Sequence, residues 1–340
     1  MKVKNAFKGI IGQINHILAL SNMVEANEKV NMAIPGFIVT GERGAGKTKL
    51  MTSLIKAINP EHILPQCDIE AHLPTPNTIR GDNGSQVEYD SFVEHAIIAL
   101  SSGKKTLFVF DEVHELGKGP KYNPLTFKYL AIFFMKAGIL SKEGRKGMIK
   151  LGQTEILWDP SLHFIVIGTN FADKLDSALV SRFREVNLSA YTQEELLEIF
   201  KIKLEEKGFQ ANEDTVALMV RVCRTSAREI DTLVGEISSV IGAQGKKTIN
   251  KQDVVTAMKQ MEKYPFGFNK EFVRALQKLD SVVLTQPVIQ SLFPSLKAII
   301  GNELAIASHH DLVSRSTKGW SLTEKGKRAL ITWKKDGFSV

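Results

Sequence analysis

Gly41-Glu42-Arg43-Gly44-Ala45-Gly46-Lys47-Thr48 decides how this chain is read. It has the G-x-x-x-x-G-K-[ST] spacing of a phosphate-binding loop. Phe37-Ile38-Val39-Thr40, apolar and β-branched, precedes it and reads as a buried parallel strand. Residues 49–56 follow with helical spacing. Strand, glycine loop and helix thus stand in the order the motif requires. Glycines let the backbone curl so that successive N–H groups point inward at phosphate oxygens. The N-terminus of the helix adds its positive end. In such a loop Lys47 reaches the β- and γ-phosphates, and the Thr48 hydroxyl is placed to ligate Mg²⁺.

A second stretch points the same way. Thr106-Leu107-Phe108-Val109-Phe110-Asp111-Glu112 is an apolar strand ending in two acids. Ligands bind outside the carboxyl ends of the strands in an open α/β sheet. Alone, the acidic pair would read as a solvated turn. Behind a phosphate loop, Asp111 is expected to hold Mg²⁺ and Glu112 to orient and activate the attacking water.

Composition excludes several classes. A chain of 340 residues with 43% hydrophobic content has room for two or three cores. The cysteines, Cys67 and Cys223, offer neither a disulfide framework nor a zinc cluster, as expected in a reducing compartment. No apolar run reaches membrane-spanning length, and the first residues lack the apolar region of a signal peptide. A cytoplasmic location with no membrane association is the expectation. The net charge of +7 allows a polyanionic partner.

Alternating strands and helices in the first half indicate a doubly wound α/β sheet. Strands are expected at 37–40, 63–69, 106–110 and 164–169, and a helix at 91–101 capped by Asp90. Gly144 and Gly147 among charges suggest an exposed β-hairpin over 140–150 with a basic tip of Lys142, Arg145, Lys146 and Lys150. After Leu188 the period becomes helical. Thr192-Gln193-Glu194-Glu195 and Ser226-Ala227-Arg228-Glu229 read as capping boxes. They open helices 193–207 and 226–243, with further helices at 213–223 and 251–261 behind Asn212 and Asn250. Tyr264-Pro265-Phe266-Gly267 ends this small helical domain. Helices at 270–279, 286–293 and 296–308, a hairpin with its turn at 316–319, and a last helix from 323 form a winged-helix pattern. Residues 266–340 hold 11 Lys and Arg against 6 Asp and Glu, a net of +5. A basic winged helix usually touches nucleic acid. Arg315, Lys318, Lys325, Lys327 and Arg328 lie on or beside the wing. His309-His310 lacks cysteine or acidic companions and reads as surface rather than as a metal site.

Together these motifs resemble the AAA+ ATPases, and within that class the RuvB branch-migration motors, over nearly the whole chain. The phosphate loop and the Asp111-Glu112 pair match the Walker A and Walker B positions. Phe7-Lys8-Gly9-Ile10-Ile11-Gly12-Gln13 looks like the adenine-side segment. Ile165-Val166-Ile167-Gly168-Thr169-Asn170 matches sensor 1, Ser181-Arg182-Phe183 the arginine-finger segment, and Ser226-Ala227-Arg228 sensor 2. The resemblance implies a P-loop AAA+ core (1–188), a helical lid (189–263) and a winged-helix DNA-binding domain (264–340). It implies ATP and Mg²⁺ as ligands, held by Ile10, Ile11, Gly41, Gly44, Gly46, Lys47, Thr48, Lys49, Asp111 and Tyr191. Glu112, Asn170, Arg182 and Arg228 would be the catalytic groups, with Arg184 the rival finger. It further implies a ring, a hexamer by analogy, acting on duplex or branched DNA. A RuvA-like partner would meet the hairpin at 142–150.

Two functional classes follow from that site. One is an ATP-dependent DNA motor acting on Holliday junctions or related duplexes. The other is a clamp-loader-like or initiator-like switch that loads a helicase. A polypeptide-threading machine ranks last, because residues 74–85 lack the aromatic-apolar-glycine triplet of a pore loop.

Overall fold

The computed structural model describes residues 2–42, 44–68, 73–79, 86–117, 124–223 and 227–338. These form two compact units, 1–191 and 192–340.

In the first unit, helices α1 (Lys2–Ala6) and α2 (Ile14–Val30) precede strand β1 (Phe37–Gly41). Helix α3 (Lys47–Ile58), β2 (His62–Leu64), α4 (Gln86–Ser101), β3 (Thr106–Phe110) and α5 (Pro124–Glu143) follow. Then come β4 (Gly147–Leu151), β5 (Thr154–Trp158), β6 (His163–Gly168), α6 (Ser177–Val180) and β7 (Arg184–Leu188). The central sheet is parallel with order β2-β3-β6-β1-β7. β6 therefore lies between β1 and β3. The loops after these three strands, carrying the phosphate loop, Asp111-Glu112 and Asn170, emerge side by side at one edge.

Both faces of the sheet are covered, as an all-parallel sheet requires. Alternate residues divide between two cores. Phe37, Val39, Leu107, Val109, Phe164 and Val166 pack with Leu20, Val24, Leu50 and Leu54 of α2 and α3. Ile38, Phe108, Phe110, Ile165 and Ile167 pack with Phe92, Ala96, Phe133 and Phe134 of α4 and α5. The second core holds a cluster of aromatic rings. Phe108 meets Phe133 at 4.8 Å and Trp158 at 5.8 Å. Trp158 is fully buried and donates to Ser141 Oγ at 3.0 Å, which anchors the end of β5.

Three expectations are corrected here. The helix expected at 91–101 begins at Gln86, so Asp90 lies inside it and is no cap. Residues 140–143 are the last turn of α5, and Gly144 at φ 63° ends that helix. The hairpin is β4 and β5, paired from Gly147↔Trp158 to Leu151↔Thr154, so its tip is Gly152-Gln153 and not the basic cluster. Of that cluster, Lys142 donates to Ser181 O at 2.7 Å and Lys146 pairs with Asp159 at 2.7 Å. The hairpin instead presents Met148 and Leu157, directly opposed and each about half exposed. Glycine among charges is a signal shared by hairpin turns and helix ends, and packing of α5 against β4 selects the second.

The second unit opens with α7 (Gln193–Glu206), β8 (Gln210–Ala211), α8 (Glu213–Val222), α9 (Ala227–Gly242), β9 (Thr248–Ile249) and α10 (Lys251–Gln260). Thr192 and Glu195 form a reciprocal capping box, and so do Asn250 and Asp253. Asn212 caps α8 by accepting from Thr215 N at 2.9 Å. The strand expected at 63–69 is shorter, ending at Leu64, and residues 65–68 continue as loop. The capping residue expected at Ser226 lies outside the described residues, as do residues 80–85 of the stretch 74–85.

Beyond Tyr264 come α11 (Lys270–Leu279), α12 (Gln286–Leu292), α13 (Ile300–His309), β10 (Val313–Ser316), β11 (Gly319–Leu322) and α14 (Glu324–Lys335). α13 starts four residues later than its sequence pattern suggests, because Pro294–Leu296 forms a 3-10 turn. Leu284 and Trp320 exchange both backbone hydrogen bonds, at 3.0 and 2.8 Å, a single isolated bridge beside the two-stranded β10–β11 hairpin. His310 rests on Phe266 at 4.4 Å, and no metal-binding cluster occurs among the described residues. No described helix is long and apolar enough to cross a membrane.

Candidate nucleotide site

The phosphate loop follows β1 because its glycines permit backbone angles that other residues resist. Gly46 has φ 92°, and a Cβ there would meet the Tyr191 hydroxyl at 2.6 Å. The Tyr191 hydroxyl therefore lies against the loop at Gly46. Lys47 is buried and donates to the Gly41 and Glu42 carbonyls at 2.8 and 2.7 Å. Its ammonium is held within the loop rather than in solvent. Ile10 packs beside the first core, and Gln13 Nε2 donates to Ser189 O at 2.9 Å, tying the segment 7–13 to the chain just before Tyr191. Ile11 is half-buried and Lys49 is exposed.

The acidic end of β3 is joined to the loop. Thr48 Oγ1 donates to Asp111 Oδ2 at 3.3 Å. Asp111 Oδ1 accepts from Glu112 N at 2.8 Å. Glu112 has φ 52°, a left-handed conformation that costs a non-glycine residue on the order of 1 kcal/mol and clusters at functional sites. Asn170 Nδ2 donates to both Glu112 carboxylate oxygens, at 2.6 and 2.8 Å. Lys47, Thr48, Asp111, Glu112 and Asn170 thus form one group at adjoining strand ends.

Three contributors escaped the sequence reading. A Cβ on Gly168 would lie 2.7 Å from Asp111 Oδ1 and 2.7 Å from Met51 Sδ, so only glycine lets β6 pass this close to the Asp111 carboxylate. His114 Nδ1 is 3.2 Å from Glu112 Oε2. Thr169 Oγ1 lies 3.3 Å from the same nitrogen. The only sequence signal was position: each lies within two residues of a residue already singled out.

Arg182 and Arg184 have partners outside this group. Arg182 donates to Ala178 O within its own helical turn, and Arg184 Nη1 contacts Met23 Sδ at 3.3 Å. Neither hydrogen-bonds a phosphate-loop residue among the described contacts. Arg228, in the first turn of α9, is exposed. Arg315 and Lys318 in the β10–β11 hairpin and Lys325 and Arg328 in α14 are exposed, and Arg315 lies over the Trp320 ring at 5.7 Å. Lys327 differs, for it pairs with Glu324 at 2.9 Å and lies 3.9 Å from Asp280.

A covered parallel sheet, a glycine loop carrying Lys47 and Thr48, and an acidic strand end held by a neighbouring asparagine define the AAA+ ATPase fold. Solved structures of RuvB share this fold. A mutant of RuvB from Thermotoga maritima superposes with a TM-score of 0.63 at 18% identity, covering 97% of this chain and 98% of that one. RuvB from the same organism, described as a Holliday junction branch migration motor, gives 0.61 at 18% identity, covering 94% and 95%. The chain therefore has the RuvB-like AAA+ fold, in strongly diverged sequence. No protein-family profile matches it. DNA polymerase III subunit gamma/tau of Mycoplasma genitalium is 23% identical over 238 residues, which is 68% of this chain. The match spans only 36% of that relative's length.

Proposed function

We propose that this chain hydrolyses ATP and uses the energy as a RuvB-like motor on duplex or branched DNA. The observation that carries the ATPase part is the linked group Thr48–Asp111–Glu112–Asn170 beside the phosphate loop. Thr48 Oγ1 and Asp111 Oδ2 are hard oxygen donors converging on one point, which suits Mg²⁺ and its preference for one or two protein oxygens with water and phosphate. When bound, the ion would neutralise charge on the phosphate oxygens. Lys47 would exchange its loop carbonyls for phosphate oxygens. Glu112, fixed by Asn170, would take the proton of the attacking water. Arg182 would act on a neighbouring copy's nucleotide, with Arg184 as the rival, which makes turnover depend on ring assembly. Arg228 is the lid arginine that the resemblance assigns. The exposed Met148–Leu157 pair gives the hairpin an apolar face suited to a RuvA-like partner. The wing cations, with the local excess of positive charge, support a DNA contact in the 264–340 domain.

The similarity to DNA polymerase III gamma/tau favours a second reading, a loader-type switch. ATPase rates with duplex, single-stranded, forked and four-way-junction DNA, combined with a branch-migration assay, separate the two. Sustained junction movement supports the motor. Stimulation without movement supports the switch.

A further inference from the structure

Glu112 is held from two sides. Asn170 donates to its carboxylate from one side through a single nitrogen. On the other, His114 Nδ1 lies 3.2 Å from Oε2. The imidazole is itself oriented. Its Nδ1 is 3.3 Å from Thr169 Oγ1, and that oxygen accepts from Phe171 N at 3.0 Å. Its ring meets Phe171 edge-on at 4.8 Å, and Lys174 Nζ sits 3.8 Å from the Phe171 centroid. The His114 side chain is only 12% exposed.

We infer that His114 is a positioning residue for Glu112, donating from Nδ1–H to the carboxylate and tying it to the Thr169–Phe171 turn. A carboxylate only accepts hydrogen bonds. An imidazole nitrogen 3.2 Å from it is attractive only when it carries the proton. Asn170 alone leaves the carboxylate free to pivot about one nitrogen, whereas a second donor fixes its plane. The residue acts through Glu112, so this inference rests on the role given to Glu112 above.

The test uses the full chain. His114→Asn puts an amide nitrogen near the Nδ1 position, and His114→Leu keeps bulk beside Phe171 without a donor. Steady-state kcat and KM, affinity for a fluorescent ATP analogue, melting temperature, and long-range ¹H–¹⁵N spectra of the imidazole are measured. His114→Leu should lower kcat roughly tenfold, as misplacement of a reacting group does, with nucleotide affinity little changed. His114→Asn should recover most of the loss. The wild-type ring should show the Nδ1–H form, with its signals shifted by Glu112→Gln. A ring protonated only at Nε2, an unchanged kcat in His114→Leu, or equal impairment in both variants overturns the inference. The spectra decide even where a variant fails to fold. Glu112→Gln separates the two levels. If it turns over normally, the role of Glu112 itself fails. If it is inactive while His114→Leu is normal, only the role of His114 fails.

Discussion

The nucleotide site and the wing carry charge in opposite ways. At the site these side chains are held by neighbouring groups: Thr48 by Asp111, Glu112 by Asn170, Lys47 by the loop carbonyls. In the wing and α14, Arg315, Lys318, Lys325 and Arg328 project into solvent, and only Lys327 is paired with acids. The contrast follows from the work each region would do. Catalysis needs atoms placed within fractions of an ångström before the substrate arrives. Attraction of a polyanion needs only local positive charge, which mobile side chains provide and salt screens. Held residues should therefore fail abruptly on substitution, and free ones gradually.

The largest effect should come from Glu112→Gln. The amide keeps the shape but cannot accept the proton, so kcat should fall by about 10³-fold with ATP affinity retained. Lys47→Ala should weaken nucleotide binding itself. Isothermal titration and a phosphate-release assay distinguish the two, and a normal kcat in Glu112→Gln removes the basis for calling the site held. Next is Arg182→Ala, expected to cost on the order of 10²-fold in turnover, as loss of a transition-state donor does. Its activity should be partly restored by mixing with Lys47→Ala subunits. Mixtures that never exceed either variant alone would withdraw support from action across an interface, and the same mixing with Arg184→Ala tests the rival.

Gly168→Ala sharpens the comparison within the site. Its methyl group would press on Asp111 Oδ1, and the Mg²⁺ concentration for half-maximal turnover should rise by roughly tenfold. An unchanged Mg²⁺ requirement would show that β6 yields easily. In the wing, Arg315→Ala with Lys318→Ala should reduce DNA affinity similarly for different sequences. It should flatten the log–log salt dependence by about 1.8, or 0.9 per contact. An unchanged slope would move the DNA contact elsewhere and favour a protein-docking role for this domain.

The smallest expected effect lies away from both regions. His163, buried beside Trp158, has its pKa pushed down to about 4, chiefly by burial, with Asp159 opposing the shift. Above the unfolded value near 6.5 both states are neutral and the full stability is present. As pH falls from there toward 4 the unfolded chain binds the proton first, so stability is lost over that window. Thermal melts of the wild type and His163→Gln between these limits should show a shallower pH dependence in the variant. Parallel curves would assign the acid sensitivity to carboxylates instead.

Much of the fold was legible because its signals are local. The apolar β-branched run at Phe37–Thr40, the glycines of the loop and the caps at Thr192, Asn212 and Asn250 act through neighbouring residues, and each element formed where expected. The hairpin was misplaced and α4 begun too late, because where a helix ends depends on what packs against it. The amino-acid sequence by itself determined the phosphate loop, the acidic strand end and the sensor strand, and hence a P-loop AAA+ architecture. Only the tertiary structure decided that β6 lies between β1 and β3. That order brings Asn170, Gly168 and Thr169 to Asp111, Glu112 and His114, more than fifty positions earlier in the chain. Side-chain hydrogen bonds across such separations have no periodic or compositional trace, since they exist only once hydrophobic burial has aligned the strands.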